Sequence, residues 1–174
     1  MEEAKAYALS NDDINTILEP DTNILTYPQL KDYQHIDEIF DPLGRVIMLY
    51  PTEAQNKGHW ICMWKEGNRI NYFDPYGEPP EEPKEWVGKT QSRLLGMGQN
   101  KLTQLLQNSG RKVFYNTYPY QQMSDDVATC GRWCVARLVC KDMTEKQFHN
   151  SVMKFKKGSP DNFAVSFTHK ILGK

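Results

Sequence analysis

The hydrophobic positions change period several times along the 174 residues, and each change predicts an element. Ile14, Ile17 and Leu18 recur at helical spacing behind Ser10 or Asn11, either of which can cap a short helix that Pro20 then ends. Over residues 27–40 an early proline and apolar residues at Leu30, Tyr33, Ile36, Ile39 and Phe40 predict a second helix. After the turn at 41–44 the period shortens. RVIMLY over 45–50 is continuously apolar and β-rich and is bounded by Pro51, the pattern of a buried strand. HWICMW over 59–64 follows the polar loop PTEAQNKG, and RINYFD over 69–74 follows a Glu66-Gly67-Asn68 turn, so these two predict an antiparallel hairpin. Four prolines within 75–83 predict loop through residue 86. Leucines at 94, 95, 102, 105 and 106 predict a helix over 92–107, weakened by Gly96 and Gly98. KVFYNTYPY over 112–120 predicts a fourth strand. Further helices are expected from Cys130, over 144–155, and behind Ser159-Pro160-Asp161. The class is α+β, a small and mostly antiparallel sheet packed on helices, in one domain spanning 1–174.

Composition narrows the picture. A chain of this length buries enough surface to fold without a disulfide or metal staple. No run of about 18 apolar residues occurs, and the start MEEAKAYALSNDD is acidic where a signal peptide is basic and then apolar, so a soluble, non-secreted protein is expected. Four cysteines are too few for a disulfide scaffold, and reduced thiols follow. The net charge of −1 hides an asymmetry: residues 130–174 carry nine Lys and Arg (Arg132, Arg137, Lys141, Lys146, Lys154, Lys156, Lys157, Lys170, Lys174) against Asp142, Glu145 and Asp161. Such a segment offers weak contact to a nucleic-acid backbone or an acidic partner, although a solvated helix face explains the same charge.

Cys130 in VATCGRWC follows a polar loop and precedes an apolar helical run, which places it at a helix N-terminus where backbone N–H groups favour a thiolate. Gly131 beside it leaves room for a substrate carbonyl. A buried small hydrophobe is the plainer reading of one such cysteine, so the partners decide. Of His35, His59, His149 and His169, only His59 heads a strand, between Gly58 and Trp60; the others sit in predicted helices among charged residues. Asp74 ends the next strand, near the same open end of the hairpin. It can hold the imidazole tautomer, or simply close an Asp-Pro turn. Gln121 or Gln122, upstream of the cysteine, supplies an oxyanion donor.

Together, GHWICMW, YFDPYG and YQQMSDDVATCGRWC resemble the adenovirus-type and SUMO-protease-type (Ulp) cysteine peptidases, and most of all the maturation proteases of adenoviruses, virophages, Polinton-type elements and large DNA viruses. The likeness runs over residues 46–139. It implies a papain-like catalytic core with permuted order: His59 as base, Asp74 as its orienter, Cys130 as nucleophile, and Gln121 or Gln122 with the Cys130 N–H as the oxyanion hole. Spacing to the cysteine favours Gln122, and the Tyr-Gln context favours Gln121. Trp60 is implied as an aromatic wall over substrate, with a half-buried core aromatic as its plainer reading. The implied activity is endoproteolysis of capsid or other virion precursors after a small residue, in a virion or host-cell interior, by a monomer without cofactor, metal or membrane association. No cysteine matches the one that binds an activating peptide in the adenovirus enzymes, with Cys62, Cys134 and Cys140 expected in the core.

Two other readings remain. A SUMO or ubiquitin-like deconjugase would keep the chemistry, though the short chain leaves little room for exosites. A non-catalytic or zinc module would use Cys130, Cys134, Cys140 and His149, whose spacing lacks the paired ligands of structural zinc sites.

Overall fold

A computed structural model describes residues 1–19, 21–53, 57–155 and 158–173. Pro20, the middle of the 51–58 loop, and Lys156, Lys157 and Lys174 of the basic segment lie outside these. Helices α1 (Glu2–Ala6) and α2 (Asn11–Leu18) open the chain, followed by strand β1 (Asn23–Thr26) and two 3₁₀ turns (Tyr27–Asp32 and Ile36–Ile39). Strands β2 (Arg45–Pro51), β3 (Gly58–Glu66) and β4 (Arg69–Phe73) precede helices α3 (Glu82–Leu94) and α4 (Lys101–Asn108). Strand β5 (Lys112–Tyr115) and helices α5 (Cys130–Val139), α6 (Glu145–Met153) and α7 (Asp161–Leu172) complete the order.

The five strands lie in sequence order, with the β2–β3 and β3–β4 pairs antiparallel and both edge pairs parallel. The fold is thus α+β with an antiparallel centre. Alternation along β3 divides the core in two. Trp60, Cys62 and Trp64 face α5 together with Trp133, Cys134, Val135, Leu138 and Phe148. Ile61 and Met63 face the 3₁₀ turns and α4 through Leu30, Ile36, Ile39, Leu102 and Leu105. The central strands are covered on both faces, which is why they read as continuous apolar runs rather than alternating ones.

Several expectations are corrected. Over 27–40 there is no α-helix: the apolar residues recur every three positions, which suits the 3₁₀ turn, and Tyr33 is extended between the two turns. Gln29 Oε1 accepts the Thr26 N–H, and Glu38 Oε1 accepts those of Gln34 and His35, so each turn is started by its own side chain. The Pro-rich stretch is helical from Glu82, because Pro83 in a first turn loses no needed N–H. The helix expected over 92–107 is two helices. Gly96, at φ +81, turns the chain between them, and Leu94 is exposed rather than part of a stripe. Strand β5 stops at Tyr115, because the Asn116 side chain takes over the pairing: its Oδ1 accepts the Asp74 N–H at 2.9 Å and its Nδ2 donates to the Asp74 carbonyl at 2.6 Å. Strand β1, helix α1 and residues 87–91 of α3 carried no sequence expectation.

Two of the nine basic residues of the C-terminal segment do not belong to a charged face, whereas Lys146, Lys154 and Lys170 are exposed. Arg132 and Arg137 are buried; Arg132 donates to the Thr168 hydroxyl, and Arg137 donates to the Cys140 and Met143 carbonyls. No helix among the described residues is long and apolar enough to cross a membrane.

Gly58 pairs with Pro51 where β2 meets β3, and a Cβ there would stand 2.0 Å from the Tyr50 carbonyl oxygen. Gly58→Ala is expected to cost roughly 1–3 kcal/mol of stability, as overpacking of a tight contact does. Urea denaturation measures it, and an unchanged midpoint contradicts this packing.

Candidate active site

The pairing of β3 with β4 brings His59 and Asp74 together. Cys62 faces Phe73, so the register continued one step places Asp74 opposite Ile61, diagonal to His59 on the same sheet face. His59 Nε2 lies 2.7 Å from Asp74 Oδ1, with the ring 5% exposed and the carboxylate fully buried. The Asp-Pro turn is present as well: the same Oδ1 accepts the Tyr76 N–H at 2.8 Å. Asp74 therefore serves the turn and the imidazole at once, while Asn116 grips its backbone on both sides.

The other ring nitrogen is left for the Cys130 thiol, which lines the same groove as His59 and acts on the imidazole to raise its pKa. Helix α5 brings that thiol to the end of β3 from the opposite sheet face. Its Cys134 Sγ donates to the Trp60 carbonyl at 3.4 Å, and Gly131 meets the Trp60 ring. A Cβ on Gly131 would lie 3.2 Å from Trp60 Cδ1 and 3.3 Å from Leu9 Cβ. The expected role of Gly131 is corrected accordingly: its bare face allows the helix to approach Trp60 and Leu9, not a substrate carbonyl. The first N–H groups of α5 lack carbonyl partners within the helix, and Cys130 is among them.

Gln121 is buried beside the cysteine, its Nε2 donating to the Tyr76 hydroxyl and the Val127 carbonyl, each at 3.3 Å. Gln122 points away: its side chain is exposed and its N–H is bound by Asp161. A groove of about 600 Å³ is lined by His59, Trp60, Tyr76, Trp86, Gln121 and Cys130, with Leu9 and Met123 along its walls. Tyr76 stacks on the His59 ring with centroids 4.8 Å apart, and Trp86 meets both rings edge-on. Neither aromatic was singled out from the sequence, and the DPYG motif was the only signal for Tyr76. His35 and His169 are exposed, and His149 packs on Tyr118 and Tyr120 instead. Among the described residues no three His, Cys, Asp or Glu side chains converge so as to hold a metal ion.

The electrostatics favour an imidazolium. Burial alone pulls the His59 pKa down, but the Asp74 carboxylate, through charge and hydrogen bond, and Cys130 more than reverse it, leaving His59 pushed up to about 9. Burial raises the pKa of the Cys134 and Cys140 thiols, so neither is activated as a nucleophile.

The chain is 34% identical to uncharacterized protein V9 of Sputnik virophage over 175 residues, an overlap that takes in 97% of this chain and 99% of that one. It belongs to the V9 family of virophage proteins. No family model matches the chain. Among solved structures, the ASFV protease aligns with a TM-score of 0.53 at 12% identity, over 97% of this chain and 69% of its own. ChlaDub1 of Chlamydia trachomatis aligns at 0.52 and 15% identity, over 96% and 93%. The V9-family chain thus shares the fold of the ASFV protease and of ChlaDub1.

A His59 pKa raised from about 6.5 in the unfolded chain contributes stability that is fully present below that value and lost as pH rises through about 9. The His59 ring, followed by NMR, is expected to titrate near pH 9 in the wild type and at clearly lower pH in Asp74→Asn, where Cys130 alone opposes burial. A wild-type midpoint near 6.5 contradicts the buried pair.

Proposed function

We propose that this protein is a cysteine endopeptidase that processes capsid or other virion precursor proteins. The observation that carries this reading is the His59 ring held between the Asp74 carboxylate and the Cys130 thiol at the wall of an open groove. In this reading His59 holds the proton given up by the thiol, and the Cys130 thiolate attacks the scissile carbonyl carbon. The new oxyanion accepts hydrogen bonds from Gln121 Nε2 and the Cys130 N–H. The imidazolium then protonates the leaving amine, and water hydrolyses the thioester with His59 again as base. Asp74 keeps the ring oriented and its positive form favoured. Of the two glutamines, Gln121 is the one whose amide reaches the groove. Trp60 and Trp86 form apolar walls against which an extended substrate packs.

The virion-precursor substrate is supported by membership of a virophage family and by the fold shared with the ASFV protease. Wild-type protein co-expressed with virion precursors is expected to generate new termini next to small residues, read by mass spectrometry. Cys130→Ala and His59→Ala should abolish cleavage, and His149→Ala should stay within a few-fold of wild type. Full activity of Cys130→Ala, or a folded but inactive His149→Ala, contradicts the assignment. Release of tagged SUMO or ubiquitin without precursor cleavage would move it to a deconjugase.

A further inference from the structure

Asp161 opens helix α7, 31 positions beyond the nucleophile, and is fully buried with no Lys, Arg or His paired to it among the described residues. Its oxygens collect three donors instead. Oδ1 accepts from the Thr129 hydroxyl at 2.5 Å and from the Trp133 indole N–H at 2.8 Å, and Oδ2 accepts from the Gln122 N–H at 2.9 Å. These partners bracket the site. Thr129 is the N-cap of α5 just before Cys130, Trp133 is one turn into that helix, and Gln122 directly follows Gln121. The N–H groups of Tyr120 and Gln121 are bound by the Pro75 carbonyl, each at 2.9 Å, so three successive amides of this loop are fixed from two sides.

The donor set explains why a charged group is buried here. Thr129 and Trp133 share one oxygen, which an amide could also supply, but the Gln122 N–H needs an acceptor on the second. Only a carboxylate of this size offers both. A buried carboxylate without a cation is costly unless its lone pairs are met by donors, and three are present.

We infer that Asp161 is a positioning residue for the chemistry proposed above, one side chain that sets the spacing between the nucleophile's helix and the glutamine of the oxyanion hole. The inference rests on the peptidase reading for its function, and on geometry alone for its structural content. Helix α7 thereby braces the site from behind without touching the groove.

Asp161→Asn tests it. The amide oxygen can still serve Thr129 and Trp133, but its NH₂ then faces the Gln122 N–H, donor against donor, and displaces the loop that carries Gln121. The kcat for a cleaved precursor peptide is expected to fall about 10- to 100-fold with KM within about threefold, short of the roughly 10²- to 10³-fold that outright loss of an oxyanion donor costs. The Gln121 side-chain amide signals in NMR should move, while the His59 titration midpoint stays at its wild-type value. Thr129→Val, which removes one of the three bonds, should shift kcat and the Gln121 signals in the same direction by less, and it decides the matter if Asp161→Asn does not fold. Unmoved Gln121 signals in a folded variant overturn the inference. So does a His59 titration that moves with kcat, which would mean general collapse of the site. If the wild type cleaves nothing, the peptidase reading fails, and the Gln121 and His59 signals still decide whether Asp161 sets the loop.

Discussion

The contact between His59 Nε2 and Asp74 Oδ1, 2.7 Å long and closed off from water, is the constraint around which the rest is arranged. A carboxylate and an imidazole buried together depend on held geometry and on hydrogen bonds to the ionised groups. The surroundings hold the geometry and serve Asp74 Oδ1 twice, while Oδ2 is buried without a hydrogen-bond partner among the described residues. The β3–β4 register sets the diagonal, Asn116 clamps the Asp74 backbone, the Tyr76 N–H shares the carboxylate, and the Tyr76 and Trp86 rings cover the imidazole. One consequence is chemical: an imidazolium that persists through neutral pH is the form that stabilises a neighbouring thiolate and later protonates a leaving amine.

The cysteine arrives from a different layer, and its placement depends on close packing rather than charge. Helix α5 lies against β3 because Gly131 has no side chain to hold it off Trp60 and Leu9, and because Cys134 fits under the Trp60 carbonyl. The position of Cys130 along the helix axis is then set by Asp161 from behind and by the Ala128 N–H, which donates to the Lys5 carbonyl at 2.7 Å, from the N-terminal side. Residues far apart in the chain, from Lys5 to Asp161, converge on one helix end.

This division explains what could be read from the sequence. The central strands were legible because both faces are covered, and a continuous apolar run bounded by Pro51 or a Gly-Asn turn has few other readings. His59, Asp74 and Cys130 stood out through local context: a strand start, an Asp-Pro turn, a helix start. Long-range contacts left no local trace. Asn116 looked like one more residue of a strand, and Asp161 looked like an ordinary helix-opening acid, although each is committed to a partner more than 25 positions away. The choice between Gln121 and Gln122 turned on which side of one peptide unit faces the groove, and spacing does not record that. The 3₁₀ turns over 27–39 escape the same kind of reading, because apolar spacing of three fits one face of an α-helix as well as a 3₁₀ turn.

The central claim is that Cys130 is activated by its neighbours rather than exposed by accident, and the other cysteines supply the control. Cys130 is only 7% exposed, whereas Cys140 is half-buried and more open to solvent. The most direct measurement is peptide mapping by mass spectrometry after limiting treatment with a peptide vinyl sulfone, in wild type and in His59→Ala. The account predicts a single adduct on Cys130 in the wild type and its loss in His59→Ala. Labelling that follows exposure, with Cys140 modified first in both proteins, would contradict it.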